Sequence, residues 1–407
     1  MKKTYLFVTV VIATAFLQSL QAQQVWTETS LSTHAQWYGI ACSADGSKMV
    51  TEDNGGNYGI WTSTNSGFNW KQADAPTNAS WISSAVSADG TKMMVADHGG
   101  DYGIWSSTNS GVSWTNTFAP TVSWYSIACS ADGSKWAAVG NSGVYTSTDS
   151  GATWTQQINA PNSSNWRGIC SSADGTKLTA VFNNDPNLGI VVSTNSGETW
   201  TQANAPTNAN WQTVACTPDG VQLVAVGNNS LLYWVSTNSG TTWAEQTNAV
   251  TSHADNAFSV AISANGGRLV TVGNNGIYAS TDGGNDWSER DQVNIDPPSG
   301  GQWQSVAASA DGGTMTAVYN AFSSGGAVYT LQTNIPPQLN AASANGNLTV
   351  SWIIPSQAYT LQENTNLADS TWSAVTNTPL LNLTTLQNQV TVLKSSVNNG
   401  FYRLQSQ

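Results

Sequence analysis

Six times the chain writes nearly the same eight residues: Ser63–Trp70 (STNSGFNW), Ser107–Trp114 (STNSGVSW), Ser147–Trp154 (STDSGATW), Ser193–Trp200 (STNSGETW), Ser236–Trp243 (STNSGTTW) and Ser280–Trp287 (STDGGNDW). Successive closing tryptophans lie 44, 40, 46, 43 and 44 residues apart. A fixed period of this size means one supersecondary unit, copied and stacked, since a lone unit cannot bury its apolar face. Length alone would suggest two or three domains, but stacked units make one large one.

The third copy shows what the unit is. Trp124 to Ser130 is short, alternating and suited to a strand; Ala131-Asp132-Gly133 is a turn signal. Lys135–Gly140 and Val144–Ser147 read as two more strands around Asn141-Ser142-Gly143. The eight-residue box then turns the chain into a fourth strand beginning at Trp154. Four short antiparallel strands, repeated around a circle, make a β-propeller blade.

The box resembles the Asp-box, or BNR, motif, Ser-x-Asp-x-Gly-x-Thr-Trp. Asp149 and Asp282 keep the Asp, whereas Asn65, Asn109, Asn195 and Asn238 replace it. Either side chain holds a turn by bonding nearby backbone N–H groups, which makes these six positions structural.

An aromatic opens each unit: Trp37, Trp81, Trp124, Trp166, Trp211, Phe258 and Trp303. Seven openings against six boxes leave the last unit without its outer strand. Val25–Thr29 supplies a matching piece at the other end of the chain. The expected fold is therefore all-β: a seven-bladed β-propeller over residues 23–333, its last blade closed by the N-terminal strand so that no free edge remains. Residues 334–338 read as a linker. Residues 339–407 read as a small β-sandwich loosely similar to fibronectin-type accessory modules.

Residues 1–22 have the form of a signal peptide. Lys2 and Lys3 precede a mostly apolar run from Tyr5 to Leu17, too short for a permanent span, and Ala22 offers a small residue before a cut. The expected mature protein is secreted or extracytoplasmic, in the periplasm or at the cell surface, with no transmembrane segment. Charged residues are only 9%, and the net charge of -12 argues against nucleic acid as a partner. Cys42, Cys129 and Cys216 share a slot that elsewhere holds Val86, Ser171, Ile262 and Ala308, which fits buried free thiols. Cys170 sits one residue off that register, and a Cys129–Cys170 bridge stays open.

Candidate site residues are sought where copies depart from the repeat on the face where such propellers bind ligands. Most units have Gly-Asn after the second strand, but the first two have Asp53-Asn54-Gly-Gly-Asn57-Tyr58, preceded by Glu52, and Asp97-His98-Gly-Gly-Asp101-Tyr102. Glu52, Asp53, Asp97, His98 and Asp101 are thus candidate ligand residues. Their carboxylates could bind Ca²⁺, hydrogen-bond sugar hydroxyls or act as an acid–base pair, or be solvated turn residues. The opening tryptophans, Trp81 and Trp124 among them, fit either blade packing or sugar stacking.

The resemblance brings several functions with it. Sialidases of this superfamily use three arginines, a Tyr/Glu nucleophile pair and an Asp acid. This chain has only Arg167, Arg268 and Arg290 in its repeats and lacks the Phe/Tyr-Arg-Ile-Pro start. Xyloglucanase-like hydrolases use a cleft between two propellers, and one is expected here. Sortilin-like receptors and the photosystem II assembly factor are single propellers that bind proteins. The expectation is a non-enzymatic module binding a protein or glycan, with no catalytic residue, no resident metal and no cofactor. A glycoside hydrolase using the loop carboxylates and a purely structural cell-surface protein are the alternatives.

Overall fold

The computed structural model describes residues 26–33, 35–207, 209–228, 232–246, 256–274, 276–289, 301–321, 325–333, 335–344, 347–365, 371–392 and 400–407. The leader expected at 1–22, His34, His253, Arg290 and Asn334 lie outside the described residues. The chain is a β-propeller without a helix among the described residues.

Each repeat forms one antiparallel four-stranded sheet. Sheet 1 runs Trp37–Cys42, Met49–Asp53, Ile60–Ser63 and Lys71–Gln72. Sheet 2 runs Trp81–Val86, Met93–Asp97, Ile104–Ser107 and Thr115–Asn116. Sheets 3 to 6 begin at Trp124, Trp166, Asn210 and Ala257. Sheet 7 takes Gln302–Ala308, Thr314–Ala321 and Gly325–Gln332 from one end of the chain and Thr27–Thr33 from the other. The N-terminal strand joins in antiparallel register, Thr27 opposite Thr330 and Glu28 opposite Tyr329, and Trp26 is buried with Tyr329 and Leu331.

The circle closes through the backbone. In the turn after each first strand, the N–H of Ala44 donates to Ala88 O (2.9 Å), Ala88 to Ala131, Ala131 to Ala173 and Ala173 to Pro218. Ala264 donates to Ala310, and Ala310 to Ala44 (2.7 Å). Pro218 has no N–H, so it accepts but cannot pass the chain on to Ala264. On the same face, lysines stitch neighbours together: Lys48 Nζ donates to Asp89 O (2.7 Å) and Lys92 Nζ to Asp132 O (3.0 Å).

The box residues act locally. In the third copy Ser147 Oγ donates to Asp149 Oδ1 (2.8 Å) and accepts from Gly151 N–H (2.9 Å), while Asp149 Oδ1 accepts from Thr153 N–H (2.9 Å). Asn65, Asn109, Asn195, Asn238 and Asp282 accept the equivalent bond from residues 69, 113, 199, 242 and 286. Asn therefore replaces Asp without loss, because the bond needs only an acceptor oxygen.

The opening tryptophans are core. Trp37, Trp81, Trp124 and Trp211 have no exposed surface, and each packs between its own sheet and the one before it. Trp81 and Trp124 are thus unavailable to stack a sugar. The equivalent position in sheet 6 is Ala257, which pairs with Gly273 as Trp37 pairs with Asp53. Phe258, expected to open that unit, is one residue further on.

All four cysteines are free. The open Cys129–Cys170 bridge is not formed; Cys170 instead lies against Cys216 in the core between sheets 4 and 5. Burial pushes the Cys42 and Cys129 thiols up to about 12.

Beyond residue 338 the chain forms a four-stranded and a three-stranded sheet that share a small core of Val350, Trp352, Leu361 and Val390. Ser356 N–H donates to Asp311 Oδ2 (2.7 Å), tying this part to a turn of sheet 7.

Candidate ligand channel

In the acidic loops of sheets 1 and 2, Asp53 and Asp97 do not present their carboxylates to a ligand. Asp53 is fully buried. Its Oδ1 accepts from Gln36 N–H (2.7 Å) and Gly55 N–H (3.1 Å), its Oδ2 from Asn57 and Tyr58 N–H (both 2.9 Å). Asp97 repeats the pattern with Ser80 (3.0 Å), Gly99 (3.1 Å), Asp101 (3.0 Å) and Tyr102 (3.0 Å). A carboxylate offers about four lone-pair sites, and here all are taken by backbone N–H groups. That corrects the expectation that these two carboxylates bind Ca²⁺ or sugar hydroxyls, or work as an acid–base pair. Among the described residues no three His, Cys, Asp or Glu side chains converge as a metal site.

His98 is also structural. Its Nδ1 lies 3.1 Å from Trp124 O, so Nδ1 carries the proton. Asn54 makes the matching bond to Trp81 O (3.1 Å), and the His98 ring rests 5.1 Å from that of Tyr125. Asp101 alone keeps an exposed side chain, at the tip of its loop. Glu52 is buried within the sheet 1–sheet 2 seam, and burial pushes its carboxyl up to about 8, with the Ser84 hydroxyl opposing the shift.

The structure draws attention elsewhere, to the axis. Every first strand carries a bulge directly after the opening position: between Trp37 and Gly39, Trp81 and Ser83, Trp124 and Ser126, Trp166 and Gly168, Trp211 and Thr213, Ala257 and Ser259, and Trp303 and Ser305. A bulge re-aims the residue it frees. The freed residues are Tyr38, Ile82, Tyr125, Arg167, Gln212, Phe258 and Gln304, and all seven line one axial pocket of roughly 610 Å³, its open mouth included. The wall is mixed: aromatic rings, amides and one charge. Arg167 reaches across, its Nε donating to Gln212 Oε1 (3.0 Å) and its Nη2 to Tyr38 OH (3.4 Å), so its positive charge meets neutral partners.

Of the sequence candidates only Glu52 lies next to this channel, behind Gly39. The channel residues themselves were missed, although a signal for them existed. The residue after the opening aromatic changes chemical class from copy to copy, while those around it hold to the repeat.

No family model and no curated protein matches the sequence. Solved structures match at the level of fold. YCF48 bound to D1 peptide aligns with a TM-score of 0.57 at 15% identity, covering 82% of this chain and 100% of that one. YCF48 from Cyanidioschyzon merolae gives 0.57 at 14%, over 76% and 98%. The GH74 xyloglucanase from Xanthomonas campestris gives 0.57 at 13%, covering 81% of this chain but only 59% of the enzyme.

Proposed function

We propose that the chain is an exported, non-enzymatic propeller that holds a segment of a partner protein at the mouth of the axial channel. The observation that carries this is the ring of bulge residues. Seven positions made equivalent by the backbone hold Tyr, Ile, Tyr, Arg, Gln, Phe and Gln. Packing alone would keep such a position uniform, whereas recognition needs it varied. The peptide-bound neighbour, matched over its whole length, supports a protein ligand over a polysaccharide substrate. The hydrolase neighbour is matched over little more than half of its chain, and among the described residues no carboxylate is exposed on the channel wall, Glu52 lying fully buried behind Gly39. Export is supported by the basic start and apolar run of residues 2–17 and by the low charge content. Among the described residues no helix is long and apolar enough to cross a membrane.

A glycan is the second reading, favoured by Tyr38, Tyr125 and Phe258 on the wall, whose ring faces could stack on sugars. Peptide and glycan arrays probed with the full chain and with Arg167→Ala plus Tyr125→Ala decide between them. The proposal expects peptide hits that the double variant loses. Peptide hits unchanged in that variant, or glycan hits alone, overturn it.

A further inference from the structure

Sheet 1 breaks the repeat at one buried pair beside the channel. Facing positions on the first and second strands are Ser83 and Ala96, Ser126 and Val139, Gly168 and Val181, Thr213 and Val226, Ser259 and Val272, and Ser305 and Val318. In sheet 1 they are Gly39 and Glu52. In sheets 2, 3 and 6 the hydroxyl bonds the neighbouring sheet, and in sheet 4 the position is Gly168, facing Val181 rather than a carboxyl. Ser83 Oγ accepts from Ile127 N–H (3.2 Å), Ser126 Oγ from Ile169 N–H (3.3 Å) and Ser259 Oγ from Val306 N–H (3.2 Å). Gly39 has no hydroxyl, and the Glu52 side chain fills its place. A Cβ on Gly39 would collide with Glu52 Oε1.

The replacement leaves polar atoms unserved. Glu52 has no exposed surface, and neither of its oxygens has a hydrogen-bond partner. The buried Ser84 Oγ beside it has none either. The two lie close enough for the hydroxyl to oppose the rise in the Glu52 pKa, yet their geometry falls short of a hydrogen bond. The Ile82 carbonyl borders the place that the Glu52 carboxyl fills, 3.2 Å from where a Gly39 Cβ would stand. Gly39, Ile82 and Ser84 all line the channel, and at Gly39 the wall is backbone alone.

Carboxylate, hydroxyl oxygen and carbonyl are three kinds of acceptor, so the complementary group is a compact cation that only donates. A primary ammonium has three N–H donors and no acceptor. A guanidinium is a broad planar fork, and a hard metal ion demands about six oxygen ligands. We propose that Glu52, Ser84 Oγ and the Ile82 carbonyl form an ammonium subsite in the channel wall, entered beside Gly39 and taking a primary amine such as a lysine side chain of the bound segment. This rests on the channel being the ligand's route. Among the described residues no other charge competes for the carboxyl. Asp53 on the same strand and Asp97 on the second strand of sheet 2 are consumed by backbone N–H groups, and Arg167, across the channel, is held by Gln212 and Tyr38. Glu52, held mostly protonated by its burial, must release its proton when the ammonium arrives. Binding therefore tightens about tenfold per pH unit and levels off above the carboxyl's own pKa.

Methylammonium chloride is the probe, with tetramethylammonium and potassium chlorides at equal ionic strength as controls. Thermal unfolding of the full chain is followed from about pH 6 to 8. The expected result is a rise in unfolding temperature with methylammonium alone, growing with the logarithm of its concentration and with pH, and lost in Glu52→Gln and in Gly39→Ser. An equal response to either control salt, a response independent of pH, or one that survives in whichever of the two variants folds overturns the subsite. The probe needs no peptide. A missing methylammonium response beside intact peptide binding removes only the subsite, and the reverse outcome removes only the protein partner.

Discussion

Replacing Asp97 by alanine separates a loop anchor from a ligand residue. The Asp97 carboxylate gathers four backbone N–H donors, from Ser80 at the entrance to the first strand of sheet 2 and from Gly99, Asp101 and Tyr102 in the loop after its second strand. Hydrogen bonds to a charged group are worth about 1.5–3 kcal/mol each when they can be replaced by nothing, and a buried donor left unmade costs about 1–3 kcal/mol. Gly99 and Asp101 are exposed, so water takes over their N–H groups. Ser80 and Tyr102 are partly buried and remain poorly served. Two stranded donors at about 2 kcal/mol each give a loss near 4 kcal/mol for Asp97→Ala. Asn helps little: its amide oxygen serves one pair of donors, while its NH₂ faces the other pair. Urea denaturation followed by tryptophan fluorescence measures the loss, and proteolysis at residues 98–102 should accelerate in parallel. A change below about 0.5 kcal/mol, the size usual for an ordinary surface site, would refute the anchor argument.

Two further outcomes follow from burial. Glu52 holds its proton more tightly folded (about 8) than its ordinary value of 4.5. Its contribution to stability is therefore complete below the ordinary value and lost as pH rises toward the folded one. By pH 7 the loss is about 3 kcal/mol, from roughly two and a half pH units at about 1.4 kcal/mol each. Gly39→Ser with Glu52→Val restores the pairing of sheets 3, 6 and 7, and urea titrations across this window should show its stability gaining steadily on the natural chain; parallel curves would rule the mechanism out. The Cys42 and Cys129 thiols, raised to about 12, hold a negligible thiolate fraction near pH 8. Iodoacetamide should label these two only after unfolding, as read by peptide mapping, and labelling of either in the native chain would contradict the raised values.

Much of this architecture was legible in the residues. The eight-residue box, the Ala-Asp-Gly turns and the spacing of tryptophans are local signals, because each turn is made by side chains bonding a backbone two to five residues away. The missing outer strand of the last repeat and the spare strand near Trp26 also pointed to their pairing. Ring contacts were not legible in this way. Phe258 looks like an opening aromatic in the sequence, yet the register gives that place to Ala257 and turns Phe258 to the channel.

The acidic loops show the same division. Asp53 and Asp97 stand out in the sequence as charges that break a pattern, but their oxygens face Gln36 and Ser80, each 17 residues upstream. The other three donors to each lie two to five residues on in its own loop, so the distant N–H takes the last free place on a carboxylate that its loop has already claimed. The residues of one repeat were enough to set the four-stranded sheet, since hydrophobic period and turn chemistry act within a single unit. The register of each first strand on its second chose which side chain the bulge frees. Bringing the seven freed side chains round one axis, and leaving Glu52 without a partner against sheet 2, depend on how neighbouring sheets abut, and no single repeat encodes that.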